Sequence, residues 1–166
     1  MKILIIDDCV DFRALLRVYL QKEMKNAEII EYQFDLLGRP PDNFDWSHYD
    51  ILFLDYKLGE HEDGLEWLRI FRKKSGFPPT IILTAEGDEY VAVKAAKLGA
   101  AEYVNKKDVS PKLLAKLIND ALEFSEVGEE KHPVSYHIVA ETGKSIRQKL
   151  NISTLADIRK LAGHPS

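Results

Sequence analysis

Apolar positions along this chain follow two rhythms. Short runs, KILII at 2–6, AEIIEY at 27–32, DILFL at 50–54, TIILT at 80–84 and EYV at 102–104, alternate with longer stretches of three- and four-residue apolar spacing. The short runs read as buried strands and the longer stretches as amphipathic helices. A first helix is predicted from about Asp11, with Phe12, Leu15, Leu16, Tyr19 and Leu20 on one face. A helix over 64–74 carries Leu65, Leu68 and Phe71 and stops at Gly76, and one over 88–98 stops at Gly99. Ser110 caps a last helix, with Pro111 in its first turn, that runs through Glu123 or Phe124. Between 35 and 49, Pro40 and Pro41 interrupt any helix, so the second helix is expected to be short or displaced.

Strand and helix in alternation predict stacked βα units. The expected fold class is α/β: a five-stranded parallel sheet, doubly wound, with a short C-terminal helical extension. A length of 166 residues, 45% of them apolar, suffices for one full domain with its own core plus an appendage. The net charge of −4 argues against a general nucleic-acid binder while leaving local basic patches open. No apolar run is long enough to span a bilayer. The opening MKILIIDD ends its apolar run in two acids, unlike a signal peptide. Cys9 is the single cysteine, which excludes an intrachain disulfide and suggests a reducing cytoplasm.

Chemistry concentrates at the expected strand ends. In open α/β sheets ligands sit outside the carboxyl ends of the strands. Asp7 and Asp8 follow the first strand, Asp55 follows the third, Thr84 closes the fourth, and Lys106 lies just past the fifth. If the first and third strands are neighbours, all five side chains converge. Two unit charges roughly 4 Å apart repel by about 4 kcal/mol at an effective dielectric near 20, and a hard divalent cation relieves that cheaply. Mg²⁺ accepts a few carboxylate oxygens and leaves positions for phosphate oxygens. A lysine and a threonine opposite it would clamp a phosphoryl group. This set fits an aspartate that receives phosphate, with Asp55 as nucleophile.

The pieces ILIIDD at 3–8, LFLDY at 52–56, DG at 63–64, ILTAEG at 82–87 and KLGAAEYVNK at 97–106 resemble, in order and spacing, the receiver domain of two-component response regulators. The resemblance spans residues 1 to about 125 and implies the flavodoxin-like fold. It implies Asp55 as phosphoacceptor, and Asp7, Asp8, Asp55 and the Lys57 backbone carbonyl as ligands of Mg²⁺. It further implies Thr84 and Lys106 on the phosphoryl group, and Tyr103 as an aromatic switch that turns inward when Thr84 moves. A sensor histidine kinase or phosphotransfer protein would supply the phosphate.

Three features depart from the family or single out this chain. Gly59 stands where the family commonly has proline, in a loop one residue longer. Lys107 follows Lys106 where the family usually has proline, often after a cis bond, which bears on the reach of Lys106. Lys57 and Glu86 lie two residues past Asp55 and Thr84, flanking the line of attack by water in the family. Their opposite charges are expected to meet across the site and to tune dephosphorylation; two solvated side chains are the simpler reading. Trp67 reads as a core or surface aromatic, Tyr90 as an aromatic on a helix the family uses for partners, and Cys9 as a small filler.

After residue 125 the character changes. Residues 126–133 read as a polar linker. Residues 134–166 resemble the last two helices of the LuxR/FixJ-type helix-turn-helix, with two preceding helices missing and Gly143 inside the recognition helix. Dimerisation or a vestigial role is therefore expected ahead of sequence-specific DNA binding. The leading reading is a cytoplasmic phosphorylation switch controlling a partner or a homodimer, with no membrane contact. It has no turnover substrate and catalyses only its own phosphorylation and dephosphorylation. A transcriptional regulator is the alternative. An aspartate-nucleophile phosphatase of the haloacid dehalogenase type is disfavoured, because Lys57 occupies the position of its second aspartate.

Overall fold

The computed structural model describes residues 1–86 and 89–126. Strands β1 (Lys2–Ile6), β2 (Glu28–Glu31), β3 (Ile51–Asp55), β6 (Thr80–Thr84) and β7 (Glu102–Asn105) form one sheet in the order β2-β1-β3-β6-β7. Every neighbouring pair in it is parallel. Two-residue strands β4 (Lys57–Leu58) and β5 (Glu62–Asp63) form a small antiparallel hairpin that the apolar pattern did not announce. All five residues of β3 and of β6 are buried, as strands covered on both faces must be.

Alternation along the strands sorts the core into two halves. Ile3, Ile5, Ile51, Phe53, Ile81 and Leu83 meet helices α1 (Val10–Glu23) and α5 (Pro111–Glu126) through Leu16, Leu20, Leu114, Leu117 and Ile118. Leu4, Ile6, Leu52, Leu54 and Ile82 face the other way. They meet α3 (Gly64–Phe71) and α4 (Glu89–Lys97) through Leu65, Leu68, Phe71, Val91 and Ala95. This is the doubly wound arrangement. Trp67 belongs to the second half and is fully buried.

The caps follow their sequence signals. Ser110 Oγ accepts from the Leu113 amide at 3.2 Å, and Asp63 Oδ1 from the Leu65 amide at 2.7 Å. The second helix, α2 (Phe34–Leu37), is a single turn ending at Gly38, whose φ of 65° reverses the chain ahead of Pro40. Two expectations for α1 are corrected. Leu15 is exposed, and Arg13 takes a buried place on the inner face beside Leu16 and Leu20, because its guanidinium finds partners there. Cys9 is exposed at the head of α1 and fills no core space. Residues 127–166, hence most of the expected linker and all of the helical extension, lie outside the described residues.

Candidate functional site: an acidic pocket at the carboxyl edge of the sheet

Because β1 and β3 are neighbours in register Ile6 with Leu54, the residues that follow them, Asp7 and Asp55, emerge side by side. Asp7 is fully buried and Asp55 is 4% exposed. Lys106, in the 3₁₀ turn Lys106–Asp108 after β7, joins them: its Nζ lies 2.6 Å from Asp7 Oδ2 and 3.0 Å from Asp55 Oδ2. No peptide bond among the described residues is cis, so Lys106 reaches both acids through a trans connection to Lys107. The ammonium also sits over the Phe12 ring, 4.7 Å from its centroid.

Asp8 is half-buried across the pocket, and its Oδ2 accepts from the Gly59 amide at 2.9 Å. One carboxylate oxygen from each of Asp7, Asp8 and Asp55 lies within 4.8 Å of the others. Burial pushes the Asp55 carboxyl up to about 7, with the charge of Asp7 next in importance, and Lys106 offsets only part of this. Asp7 is raised as well, by burial against the bond from Lys106. For Lys106, burial pulls downward, but the two carboxylates outweigh it and raise its pKa. The pocket thus holds more negative charge than one lysine neutralises.

A hard oxygen-donor set with surplus negative charge fits a divalent cation. Asp7, Asp8 and Asp55 would hold it, and Lys57, whose carbonyl the family resemblance implies as a further ligand, lines the same cavity of about 200 Å³. Asp55, Thr84 and Lys106 open onto that cavity too.

Thr84 is buried at the end of β6. Its hydroxyl donates to the Glu86 carbonyl at 2.9 Å and accepts from the Glu86 amide at 3.2 Å. Tyr103 is also buried, and its hydroxyl donates to the same Glu86 carbonyl at 3.4 Å. The two switch candidates therefore share one acceptor. At the rim, Lys57 Nζ meets Glu86 Oε1 at 3.2 Å, so the opposite charges do face each other. Both side chains are mostly exposed, and the pair contributes little to stability. Tyr90 stands on α4, 71% exposed.

Two participants escaped the sequence reading. Arg13 Nη1 donates to the Asp7 carbonyl at 2.5 Å while its Nε bonds Glu31 at 3.1 Å, tying the loop that carries both acids to β2. An arginine on an otherwise apolar helix face was the available signal. The Gly59 amide is the second, and a backbone donor leaves no side-chain signature.

Fold and site define a flavodoxin-like α/β module whose chemistry lies in an acidic pocket at the carboxyl edge of its sheet. Residues 3–119 match the family model of the response regulator receiver domain, and the chain belongs to that family. Over 105 residues it is 32% identical to the transcriptional regulatory protein ResD of Bacillus subtilis (strain 168), a match covering 63% of this chain and 41% of that protein. It is 26% identical to a putative response regulator NtrX-like of Rickettsia bellii (strain RML369-C), covering 99% of this chain and 34% of the relative. The chain thus spans well under half the length of these relatives.

A receiver domain protein from Clostridium thermocellum is 26% identical, with a TM-score of 0.58 over 76% of this chain and 97% of that one. A CheY-like receiver from Methanospirillum hungatei JF-1, 23% identical with a TM-score of 0.60 over 76% of this chain and 96% of that one, shares the fold. Receiver domains are in general non-enzymatic switches that bind Mg²⁺ in an acidic pocket and interact with histidine kinases or phosphotransfer proteins. Among the described residues no helix is long and apolar enough to cross a membrane.

Proposed function

We propose that this protein is a phosphorylation-operated switch that accepts a phosphoryl group on Asp55. The observation that carries the reading is the Asp55 carboxylate, nearly buried, opening onto a cavity while sharing Lys106 with Asp7. A carboxylate oxygen of Asp55 attacks phosphorus, and the bond from phosphorus to the donor's imidazole nitrogen breaks. The electron pair returns to that ring nitrogen. Lys106 turns its ammonium from Asp55 to a phosphoryl oxygen, and the Thr84 hydroxyl leaves the Glu86 carbonyl for another. Bound Mg²⁺, held by Asp7, Asp8, Asp55 and the Lys57 carbonyl, would neutralise charge on the transferring group.

Departure of the Thr84 hydroxyl leaves the Glu86 carbonyl to Tyr103, which supports Thr84 and Tyr103 as the coupled switch. The reading puts the protein in the cytoplasm, with a histidine kinase or phosphotransfer protein as donor and a homodimer or second protein as output. Hydrolysis of the acyl phosphate restores Asp55, and the Lys57–Glu86 pair obstructs the approach of water. Residues 1–125 act as the receiver.

Intact-protein mass after incubation with acetyl phosphate tests the chemistry. Gain of one phosphoryl group that requires both Mg²⁺ and Asp55 is expected; an unchanged gain in Asp55→Asn rejects the assignment. Lys57→Ala is expected to shorten the phosphoryl lifetime, and an unchanged lifetime removes the obstruction idea. DNA binding is a second reading, favoured by the name of ResD, a transcriptional regulatory protein, and by the basic residues between Lys144 and Lys160. No shift of labelled duplex at low salt by the phosphorylated protein rejects it.

A further inference from the structure

The hairpin β4–β5 lies across the acidic pocket and is tied down on both sides. On one side Lys57 meets Glu86, in the loop after β6. On the other, the Gly59 amide donates to Asp8 Oδ2 at 2.9 Å. The two ties differ in kind. The first joins two exposed, flexible side chains, whereas the second joins a backbone amide to a half-buried carboxylate, a short charge-assisted bond.

Gly59 is well suited to this bond. Its φ of 62° lies in the left-handed region, where glycine carries no Cβ penalty, and that conformation sends the chain back toward β5. The space beside Gly59 is bounded by Phe34. A Cβ at Gly59 would sit 3.4 Å from the Phe34 ring, an ordinary contact. Phe34 in turn packs edge-on against Trp67, centroids 5.6 Å apart. Trp67 Nε1 donates to Glu62 Oε2 at 2.6 Å, on the returning strand of the same hairpin. Through Phe34, Trp67 and Glu62 the one-turn helix α2 is linked to the hairpin whose Gly59 amide bonds Asp8.

We propose that Gly59 is a positioning residue: its backbone amide sets the carboxylate of Asp8 for a divalent cation. One oxygen of Asp8 is fixed on the amide, which restricts rotation of the carboxylate and leaves the other oxygen available. Proline at this position has no N–H to donate and cannot adopt a φ of 62°. The proposal rests on reading the pocket as a Mg²⁺ site.

Calorimetric titration of Mg²⁺ into wild type, Gly59→Pro, Gly59→Ala and Asp8→Asn separates the two claims. Alanine keeps the amide donor and meets Phe34 at an ordinary distance; proline removes the donor. Gly59→Pro is expected to weaken Mg²⁺ binding about tenfold, or about 1.4 kcal/mol. Gly59→Ala is expected to stay within about twofold of wild type even where its melting temperature falls. Wild-type affinity in Gly59→Pro, or equal losses in both variants, overturns the proposal while the Mg²⁺ site stands. Absence of Mg²⁺ binding by wild type rejects the site reading and the proposal with it. In proton–nitrogen NMR spectra of the metal-free protein, the Gly59 amide is expected downfield in wild type and shifted upfield in Asp8→Ala. An amide resonance indifferent to Asp8 overturns the proposal on its own.

Discussion

Replacing Asp55 with asparagine should stabilise the metal-free protein. The substitution keeps the shape of the side chain and removes one of three crowded charges. At the 4.8 Å that bounds the carboxylate oxygens, each repulsion of Asp55 with Asp7 or Asp8 costs about 3.5 kcal/mol at an effective dielectric near 20. Attraction to Lys106 at 3.0 Å offsets about 5.5 kcal/mol of this on the same basis. Repulsion therefore exceeds attraction before burial of the charge is counted. Lys106 is not stranded by the change, since Asp7 holds it at 2.6 Å. The expected gain is about 1–3 kcal/mol, a rise of roughly 3–10 °C in melting temperature for a protein of this size.

The pH dependence gives a second handle on the same charge. A carboxyl raised in the folded state from the ordinary 3.8 to about 7 favours folding when protonated and opposes it when ionised. The penalty is absent below the unfolded value of 3.8, grows above it, and is complete above about 7. Urea unfolding in EDTA should therefore show the Asp55→Asn advantage at pH 8, shrinking toward pH 4. Saturating Mg²⁺ should erase or reverse it, because wild type then gains ligand-linked stability. An Asp55→Asn protein less stable than wild type at pH 8 in EDTA would refute the charge-crowding argument.

Three other substitutions probe the supports of the pocket. Gly64→Ala would place a Cβ 2.0 Å from the Asp55 carbonyl oxygen. It should cost at least about 1–3 kcal/mol and reduce phosphorylation, and wild-type values in urea unfolding and acetyl phosphate labelling would refute the close approach. Lys106→Met removes the cation shared by Asp7 and Asp55, so metal-free stability at pH 8 should fall by about 3 kcal/mol, with much of it returned by Mg²⁺. An unchanged melting temperature in EDTA would count against that pairing. Glu31 is raised by burial, but bonds from Arg17 and Arg13 prevail and hold it below its usual 4.5. Its contribution is present above 4.5 and lost as pH falls through the lower folded value. Glu31→Gln should accordingly cost about 1 kcal/mol at pH 7 and little at pH 3, a difference readable in urea titrations.

What was legible in the sequence follows from how each feature is encoded. Strands β3 and β6 are buried on both faces, so they appear as unbroken apolar runs, and each matches its expected span within a residue. Convergence of Asp7, Asp55 and Lys106 needed one assumption beyond the pattern, that β1 and β3 are neighbours, and the sheet order supplies it. Opposite charges two residues past Asp55 and Thr84, at positions singled out by the family resemblance, pointed to Lys57 and Glu86, and the two side chains meet at 3.2 Å. Arg13 was hidden for the opposite reason. A charge is placed outside by default, and only the Asp7 carbonyl and Glu31, distant in sequence, justify burying it. The short α2 was expected from Pro40 and Pro41, but its use was not: Phe34 packs edge-on against Trp67, a ring contact across 33 residues with no periodic signal. Glycine in place of the family's proline read as a departure that left the ligand set intact. In three dimensions it adds a donor, and the Asp8 carboxylate is where that donor points.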